Sequence, residues 1–329
     1  MMLNSRQSEL LKLIVEDYIK TVKPVSSSSL CKILKCSSAT VRSEMSYLEE
    51  IKLLEKTHTS SGRIPSEKGY RYYVDNIMQP SELNGEEMLK LQTIFKNNSL
   101  ILSDAILKSM EIISQLTNYT AVVLGTNSKD NKISKVEAVP LNDSQILAII
   151  VTDKGHIEHK NITTSEKVSV EEIKKTVDLI NKLIVGTPLD EVNMKLEFEV
   201  KPVIGKYITQ HVALYNAFYS AFNDFANESN IKVNGTTNIL MQPEFNNVDK
   251  IREIVSKFDN EEMVKSIKEE GNGVNIYIGS ENEFDRDVAI IKTKYNINGE
   301  EGTIALIGPK RMEYQRATSL LNYILDNLK

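Results

Sequence analysis

Cysteine residues and long apolar runs are scarce in this 329-residue chain. The two cysteines, Cys31 and Cys36, are predicted to be small core residues, because disulfides are rare in a reducing cytoplasm. No run of 18 apolar residues occurs, which excludes a membrane-spanning helix. The amino terminus also lacks the apolar segment of a signal peptide. We therefore expect a cytoplasmic protein.

The motifs of common catalytic and metal sites are missing as well. The chain has no P-loop, HExxH, GxSxG or cysteine-based zinc pattern. His156 and His159 form one pair that could suggest a metal, but residues three apart on a strand point to opposite faces. Zinc needs several converging ligands, so we expect surface histidines here. The sequence predicts no enzyme, no metal and no cofactor.

Basic side chains are concentrated at the amino-terminal end, although the whole chain carries a net charge of −5. Residues 1–79 hold 12 basic and 9 acidic side chains, a net charge of +3, whereas the remainder holds 28 and 36, a net charge of −8. A small positive excess gives modest non-specific affinity for DNA and relies on shape and base contacts.

The most informative segment runs from Ser37 to Asp75. At about 100° per residue, Val41, Met45 and Leu48 fall on one stripe of a helix. The opposite face is small and polar, which suits a helix in the major groove of DNA, where such side chains read base edges and hold phosphates. The candidate DNA-binding residues of this helix are Ser38, Thr40, Arg42, Ser43, Ser46 and Tyr47.

The segment at 56–65 is basic, rich in hydroxyl groups and turn-forming, as the β-hairpin wing of a winged helix would be. Its candidate DNA-binding residues are Thr59, Ser60, Ser61 and Arg63. We expect Arg63 to touch a phosphate or the minor groove, and Gly62 to supply a positive φ angle for the turn. His58 contacts DNA or is a solvated loop residue. The alternative is a wing packed on the body of the protein.

Two further helices are predicted upstream. Asn4 is a suitable cap with Gln7 at the third helical position, and an apolar stripe follows between residues 10 and 19. A second cap lies among Ser26 to Ser29, before a shorter stripe. Two short helices, a polar-faced third helix and a basic wing in this order predict a winged helix-turn-helix.

These segments resemble the HrcA family of bacterial heat-inducible transcription repressors. The similarity lies in Val25-Ser26-Ser27, in Ser38 to Arg42, in Thr59 to Pro65, in Gly69 to Asp75 and in Gly308 to Tyr314. The resemblance implies a GAF-like domain interrupted by an inserted dimerisation domain. It also implies an inverted-repeat operator called CIRCE before chaperone genes, and a GroEL chaperonin that keeps the repressor competent to bind.

The rest of the chain alternates helices and strands in an α+β layer pattern. Strands are predicted at 119–124, 132–139, 145–151, 156–162, 274–278, 288–295 and 303–307, with a final helix from 313 to about 328. We expect a winged helix-turn-helix domain at 1–79. The GAF-like α/β domain is assigned to 86–162 and 246–329, and the inserted, helix-rich dimerisation domain to 163–245.

An aromatic stripe lies on a long helix predicted from about Lys201 to Asn227. Aromatic residues are enriched at subunit interfaces, so this stripe is the candidate dimer contact. Its candidate interface residues are Tyr207, Tyr215, Phe218, Tyr219 and Phe222. The alternative is an intradomain core, which is the usual position of an apolar stripe.

Two classes of function are compatible with these patterns. The first is a homodimeric repressor that binds double-stranded DNA at an inverted repeat and depends on GroEL, as the resemblance implies. The alternative is a winged-helix regulator whose GAF-like domain senses a small-molecule effector. A response to a metabolite, with no response to the chaperonin, would distinguish the second from the first.

Overall fold

The computed structural model describes residues 2–57, 62–79, 81–96, 102–125, 131–153, 157–163, 169–203, 215–216, 218–220, 222, 231–297 and 300–328. The chain divides into two compact units. Unit 1 comprises Met1–Gly125 and Ile231–Lys329, and unit 2 comprises Thr126–Asn230. Unit 2 is therefore an insertion in the sequence of unit 1.

The amino-terminal part of unit 1 is a winged helix-turn-helix, as predicted. Its elements are α1 (Ser5–Thr21), α2 (Ser27–Leu34), α3 (Ser38–Glu50), β1 (Leu54–Lys56), β2 (Arg63–Pro65) and α4 (Glu67–Asn76). The predicted capping box of Asn4 and Gln7 begins α1. Serine side chains at 26, 37 and 66 cap α2, α3 and α4, because each hydroxyl accepts a backbone N–H that the first turn leaves unpaired.

The remaining elements follow in chain order. They are α5 (Gly85–Phe95), α6 (Leu102–Thr117), β3 (Thr120–Leu124), β4 (Ile133–Pro140), β5 (Gln145–Thr152), β6 (Ile157–Thr163), α7 (Val170–Ile184), α8 (Leu189–Lys195), a π-helical turn (Leu196–Val200), β7 (Ile231–Asn234), α9 (Thr236–Leu240), a 3-10 turn (Pro243–Phe245), α10 (Val248–Asp259), α11 (Glu261–Lys265), β8 (Asn275–Ile278), a 3-10 turn (Gly279–Glu281), β9 (Val288–Ile297), β10 (Glu300–Pro309) and α12 (Tyr314–Asp326). The predicted strands agree with these bounds to within a few residues.

Unit 1 is built on a five-stranded antiparallel sheet in the order β7-β3-β10-β9-β8. Side chains alternate between its two faces, as strand geometry requires. On β3, Ala121 and Val123 join a core with α6 and α12, whereas Val122 and Leu124 join a core with α9, α10 and α11. Helices therefore cover both faces of the sheet, which confirms the predicted α+β class.

The core of the winged helix is continuous with that of the five-stranded sheet. Tyr70 and Tyr73 of α4 are buried in the same cluster as Ile278 of β8 and Leu320 of α12. The rings of Tyr70 and Tyr314 lie 6.1 Å apart between centroids, in a tilted arrangement. Burial raises the pKa of the Tyr70 hydroxyl well above its ordinary value, so it stays neutral within this core. The winged helix thus shares its apolar interior with the rest of unit 1.

A buried carboxylate joins α10 to the loop before β9. The side chain of Asp285 is 1% exposed, and its carboxylate accepts hydrogen bonds from Lys257 at 2.5 Å and from Lys250 at 3.1 Å. Burial would raise the pKa of Asp285, but the two ammonium groups and the Asp287 N–H outweigh it and hold the pKa below the ordinary value. The carboxylate is therefore charged and paired at neutral pH.

Unit 2 contains a three-stranded antiparallel sheet, β4-β5-β6. On β5, the buried residues Ile146, Ala148 and Ile150 share a core with α7 and α8. The predicted capping box of Ser169 and Glu172 begins α7. The Asn181 side chain of α7 donates to the Val136 carbonyl at 2.7 Å and accepts the Val136 N–H at 2.8 Å, which ties this helix to β4.

The limits of the compact units differ from the predicted domain boundaries. The sequence predicts β4, β5 and β6 within the GAF-like segments 86–162 and 246–329, and residues 163–245 in the insertion. In the structure, these three strands share a core with α7, and β7 pairs with β3 of the five-stranded sheet. Alternation along a strand predicts a half-buried sheet but does not identify its neighbours.

Candidate nucleic-acid interface

The third helix, α3, presents the predicted polar face. Val41, Met45 and Leu48 are buried on the opposite side against the winged-helix core. The hydroxyl of Ser37 accepts the N–H of Thr40 at 3.1 Å, which fixes the first turn. Of the six predicted residues on this helix, Arg42, Ser43 and Ser46 are exposed, whereas Ser38, Thr40 and Tyr47 are partly buried. Three of the predicted contacts are therefore fully open to a ligand along α3.

Arg42 is held in place by a serine of the preceding helix. Its Nε donates to Ser27 Oγ at 3.3 Å, and Ser27 Oγ lies 3.2 Å from Ser38 Oγ. Ser27 is only 8% exposed and sits in the first turn of α2. This arrangement orients the guanidinium while leaving the residue exposed, and the planar guanidinium suits bidentate recognition of guanine or phosphate.

The base of the wing is anchored on the segment before α2. The backbone N–H and carbonyl of Arg63 exchange hydrogen bonds with those of Val25, both at 2.9 Å. A Cβ on Gly62 would lie 2.8 Å from Pro24 Cβ. The close approach to Pro24 favours a glycine here, and the positive φ expected of Gly62 stays a prediction. His58, Thr59, Ser60 and Ser61 lie outside the described residues.

Arg63 is engaged within the protein. Its Nη2 lies 2.6 Å from Glu49 Oε2, its Nε donates to the same oxygen at 2.8 Å, and its side chain is 13% exposed. Glu49 belongs to the last turn of α3. A contact between Arg63 and DNA would compete with this ion pair. The geometry instead connects the base of the wing to the end of α3.

Two residues of this surface were missed by the sequence analysis. Ser27 orients Arg42, and its signal in the sequence is the run of four serines at 26–29. Glu49 holds Arg63 from fourteen positions away, and the sequence contains no signal for that pairing. Exposed lysines at 32, 35, 52 and 56 add positive charge around α2, α3 and β1, consistent with an anionic partner.

The aromatic stripe lies in a different environment from the one predicted. Tyr215, Phe218 and Phe222 are 3%, 0% and 1% exposed, in the core that α7 and α8 form with the three-stranded sheet. As a correction, these three side chains are intradomain core, because a side chain enclosed by its own chain offers no surface to a second copy. Tyr219 is partly buried beside them, and Tyr207 lies outside the described residues.

His159 is exposed on β6, opposite Ile149 of β5, whereas His156 lies outside the described ranges. In that part of the chain, no three His, Cys, Asp or Glu side chains gather as a metal site would require. None of the helices there has both the length and the apolarity needed to cross a bilayer. Cys31 and Cys36 are free thiols.

Comparison with known protein families gives two matches that together span most of the chain. The family described as winged helix-turn-helix transcription repressor, HrcA DNA-binding, matches residues 2–77. The family described as HrcA protein C terminal domain matches residues 103–318. The chain is also 38% identical over 333 residues to the heat-inducible transcription repressor HrcA of Bacillus pumilus, which covers 99% of this chain and 97% of that protein.

A solved structure with the same fold is also found. The crystal structure of a hypothetical protein at 2.2 Å resolution matches with a TM-score of 0.75 and 24% sequence identity, covering 99% of this chain and 98% of that one. At this level of identity the likeness shows the fold alone. The arrangement of units 1 and 2 along the sequence therefore belongs to a fold already seen in another protein.

Proposed function

The chain belongs to the HrcA family of heat-inducible transcription repressors, and from this premise we propose that it binds the inverted-repeat CIRCE operator as a homodimer. It is a DNA-binding regulator and not an enzyme. We further propose that it works in the cytoplasm and represses chaperone genes. The observation that carries the DNA-binding proposal is the exposed polar face of α3, with Arg42 oriented by Ser27.

In the proposed complex, α3 enters the major groove. Arg42 reads a base edge, and the hydroxyls of Ser38, Thr40, Ser43 and Ser46 bind phosphates or base edges together with Tyr47. Thr59, Ser60 and Ser61 of the wing donate hydrogen bonds to backbone phosphates. Arg63 acts through Glu49, by holding the base of the wing against the end of α3.

An inverted repeat requires two-fold symmetry in the protein, so we propose that unit 2 is the inserted dimerisation domain. Two apolar side chains of unit 2 support this assignment, because Met194 and Phe198 are 66% and 73% exposed and lie four residues apart. Large apolar side chains that are exposed in one copy can serve as anchors for a second. Tyr207 and Tyr219 remain candidate interface residues. The part of unit 1 built on the five-stranded sheet is the proposed GAF-like domain.

The resemblance to the family also supports a partner that controls activity. We propose that the chaperonin GroEL keeps the repressor competent to bind its operator. Heat would divert the chaperonin to unfolded clients, leave the repressor inactive and release transcription. Under this proposal, the concentration of free chaperonin limits the fraction of repressor that can bind DNA.

A mobility-shift titration on three duplexes tests the DNA-binding proposal. The duplexes carry the inverted repeat, a single half-site and a random sequence, and each is titrated at several salt concentrations. We expect tight binding to the inverted repeat, weak binding to the half-site, and tighter inverted-repeat binding when chaperonin is added. Arg42→Ala should weaken inverted-repeat binding by about 1–3 kcal/mol and leave random-sequence binding nearly unchanged.

The matched control is Lys90→Ala on α5, which removes an exposed cation that pairs with Glu86 outside the winged helix. It should leave all three affinities unchanged. Equal affinity of the unaltered protein for the inverted repeat and the random duplex would contradict the proposal. Release of the operator by a metabolite, with no effect of chaperonin, would support the effector-sensing alternative.

A further inference from the structure

The helix that follows the wing, α4, contacts the 3-10 turn Gly279–Glu281 after β8 through two side chains one helical turn apart. Glu67 and Arg71 lie on the same side of α4, because residues four apart in a helix are neighbours. Their partners on the turn are Ser280 and Glu281. We call these four residues the α4 contact. They join the DNA-binding part of unit 1 to its five-stranded sheet.

The turn is shaped to receive the Glu67 carboxylate. One oxygen of Glu67 accepts the backbone N–H of Ser280 at 3.0 Å and also the hydroxyl of Ser280. Gly279 has a φ of +57°, and a Cβ there would lie 2.1 Å from Glu67 Oε2. A side chain at 279 would therefore displace the carboxylate, so glycine is required both for the backbone conformation and for the close approach.

Arg71 makes the other half of the α4 contact. Its Nε donates to Glu281 Oε1 at 2.9 Å, and its Nη2 donates to Glu281 Oε2 and to the carbonyl of Ile276. Glu281 also accepts the N–H of Ile278 at 2.8 Å, which fixes the carboxylate. The hydrogen bond to Glu281 raises the pKa of Arg71 above its ordinary value. Burial would raise the pKa of Glu281, but the bonds from Arg71 and Ile278 hold it below that value. Both groups are therefore charged, and a bidentate pair is directional.

From this geometry we infer that Glu67 and Arg71 are positioning residues that set which operator spacing the repressor accepts. The inference rests on the proposed function, in which a dimer places two α3 helices on two half-sites. The α4 contact holds each winged helix on its own sheet. In the dimer it therefore restricts the separations and rotations that the two α3 helices can take.

The number of base pairs tolerated between the two half-sites is a sensitive measure of how the two α3 helices are positioned. Each base pair added between the half-sites moves them apart by about 3.4 Å and rotates one against the other by roughly 36°. A rigid dimer must deform itself or the DNA to follow that change. When the α4 contact is lost, only the buried packing around Tyr70 and Tyr73 resists reorientation of the winged helix, so the free-energy cost of each step is smaller. Loss of the α4 contact should therefore broaden the range of spacings that bind, without changing how one half-site is read.

The test compares the unaltered protein with Arg71→Gln and Glu67→Gln on operators whose spacer is the preferred length or one or two base pairs longer or shorter. We expect the unaltered protein to lose roughly tenfold or more in affinity for each step away from the preferred spacing. Each variant should lose about threefold or less per step. Half-site affinity should stay the same, because α3 is untouched.

A conservative variant and a matched control separate positioning from a general loss of structure. Arg71→Lys keeps a positive charge beside Glu281 and Asp75 and should keep a narrower spacing preference than Arg71→Gln. Glu86→Gln, which breaks an exposed ion pair with Lys90 on α5, should leave the preference unchanged. The buried Tyr70 and Tyr314 pair is retained in every variant, so circular dichroism should show native secondary structure. A spacing profile identical in all variants overturns the inference.

A distance measurement tests the same inference without an operator. Spin labels at Lys52→Cys and Lys265→Cys, both exposed in unit 1, report the position of the winged helix against the sheet. The native cysteines are replaced in Cys31→Ser and Cys36→Ser, and an excess of unlabelled protein removes distances between subunits. We expect one narrow distribution, which broadens when Arg71→Gln is added. Equal widths refute the positioning role, whereas failure of the unaltered protein to prefer an inverted repeat refutes the proposed function and leaves this measurement intact.

Discussion

Phe218 and Phe198 belong to the same unit but have opposite surroundings, and this pair gives a decisive prediction. Phe218 is 0% exposed in the core of unit 2, whereas Phe198 is 73% exposed. Replacing a buried phenylalanine by alanine removes its packing and leaves a cavity, which costs about 3–5 kcal/mol of the free energy of unfolding. This is a large share of the 5–15 kcal/mol that typically stabilises a protein.

Urea unfolding followed by circular dichroism measures this cost. The midpoint of the transition of Phe218→Ala should fall by at least about 1 M, given an m-value of about 1–3 kcal/mol per molar. Phe198→Ala is the matched control for stability and should change the free energy of unfolding by less than about 0.5 kcal/mol, because its side chain is largely in water.

In a measurement of dimer formation, Phe198→Ala should have the larger effect and Phe218→Ala the smaller one. If Phe198 anchors the dimer, its truncation should cost about 2 kcal/mol of association, which is roughly a 30-fold rise in the dimer dissociation constant. Sedimentation velocity over a concentration series measures this directly. A Phe218→Ala variant that is fully stable but monomeric, beside a Phe198→Ala variant that is destabilised but dimeric, would refute the assignment of core and surface.

Four further substitutions test the remaining parts of the structure. Arg42→Lys keeps the charge but loses the planar guanidinium, so a mobility shift should show reduced discrimination between operator and random DNA at an unchanged salt slope. Arg63→Ala and Glu49→Gln should both weaken operator binding, since either change releases the base of the wing. Tighter binding by Glu49→Gln, together with a salt slope lowered by about 0.9 in Arg63→Ala, would instead make Arg63 a phosphate contact. Because the pKa of Asp285 is lowered in the folded protein, its stabilising effect is present above its unfolded pKa of about 3.9 and is lost as the pH falls through its folded value. Asp285→Asn should therefore be less stable at pH 7 and show a smaller loss of stability in acid, as measured by thermal unfolding.

The winged helix could be predicted from the sequence because its signals are local. The caps at Asn4 and Ser26 involve residues three positions apart, and the apolar stripe of α3 repeats at the helical period. The outward position of Arg42 follows from the same period. Each of these features depends on a single element, so no knowledge of the tertiary fold is needed.

The features that could not be predicted depend on which elements meet. The aromatic stripe indicated that Phe218 would be buried, but periodicity does not reveal whether a second copy or the same chain covers it. The ion pair between Arg63 and Glu49 joins two elements, and nothing in their sequence spacing encodes it. The same limit applies to β4, whose alternating pattern fits either of the two larger sheets.

Because the core beneath α4 is continuous, the winged helix cannot be exchanged between proteins as an independent domain. A fragment ending at residue 79 would leave the ring of Tyr70 facing water and the guanidinium of Arg71 without its carboxylate partner. A chimera that joins this winged helix to another sheet would lose the same contacts. Calorimetry should therefore show the winged helix and the five-stranded sheet unfolding in one transition. A temperature that unfolds the sheet would abolish operator recognition in the same step.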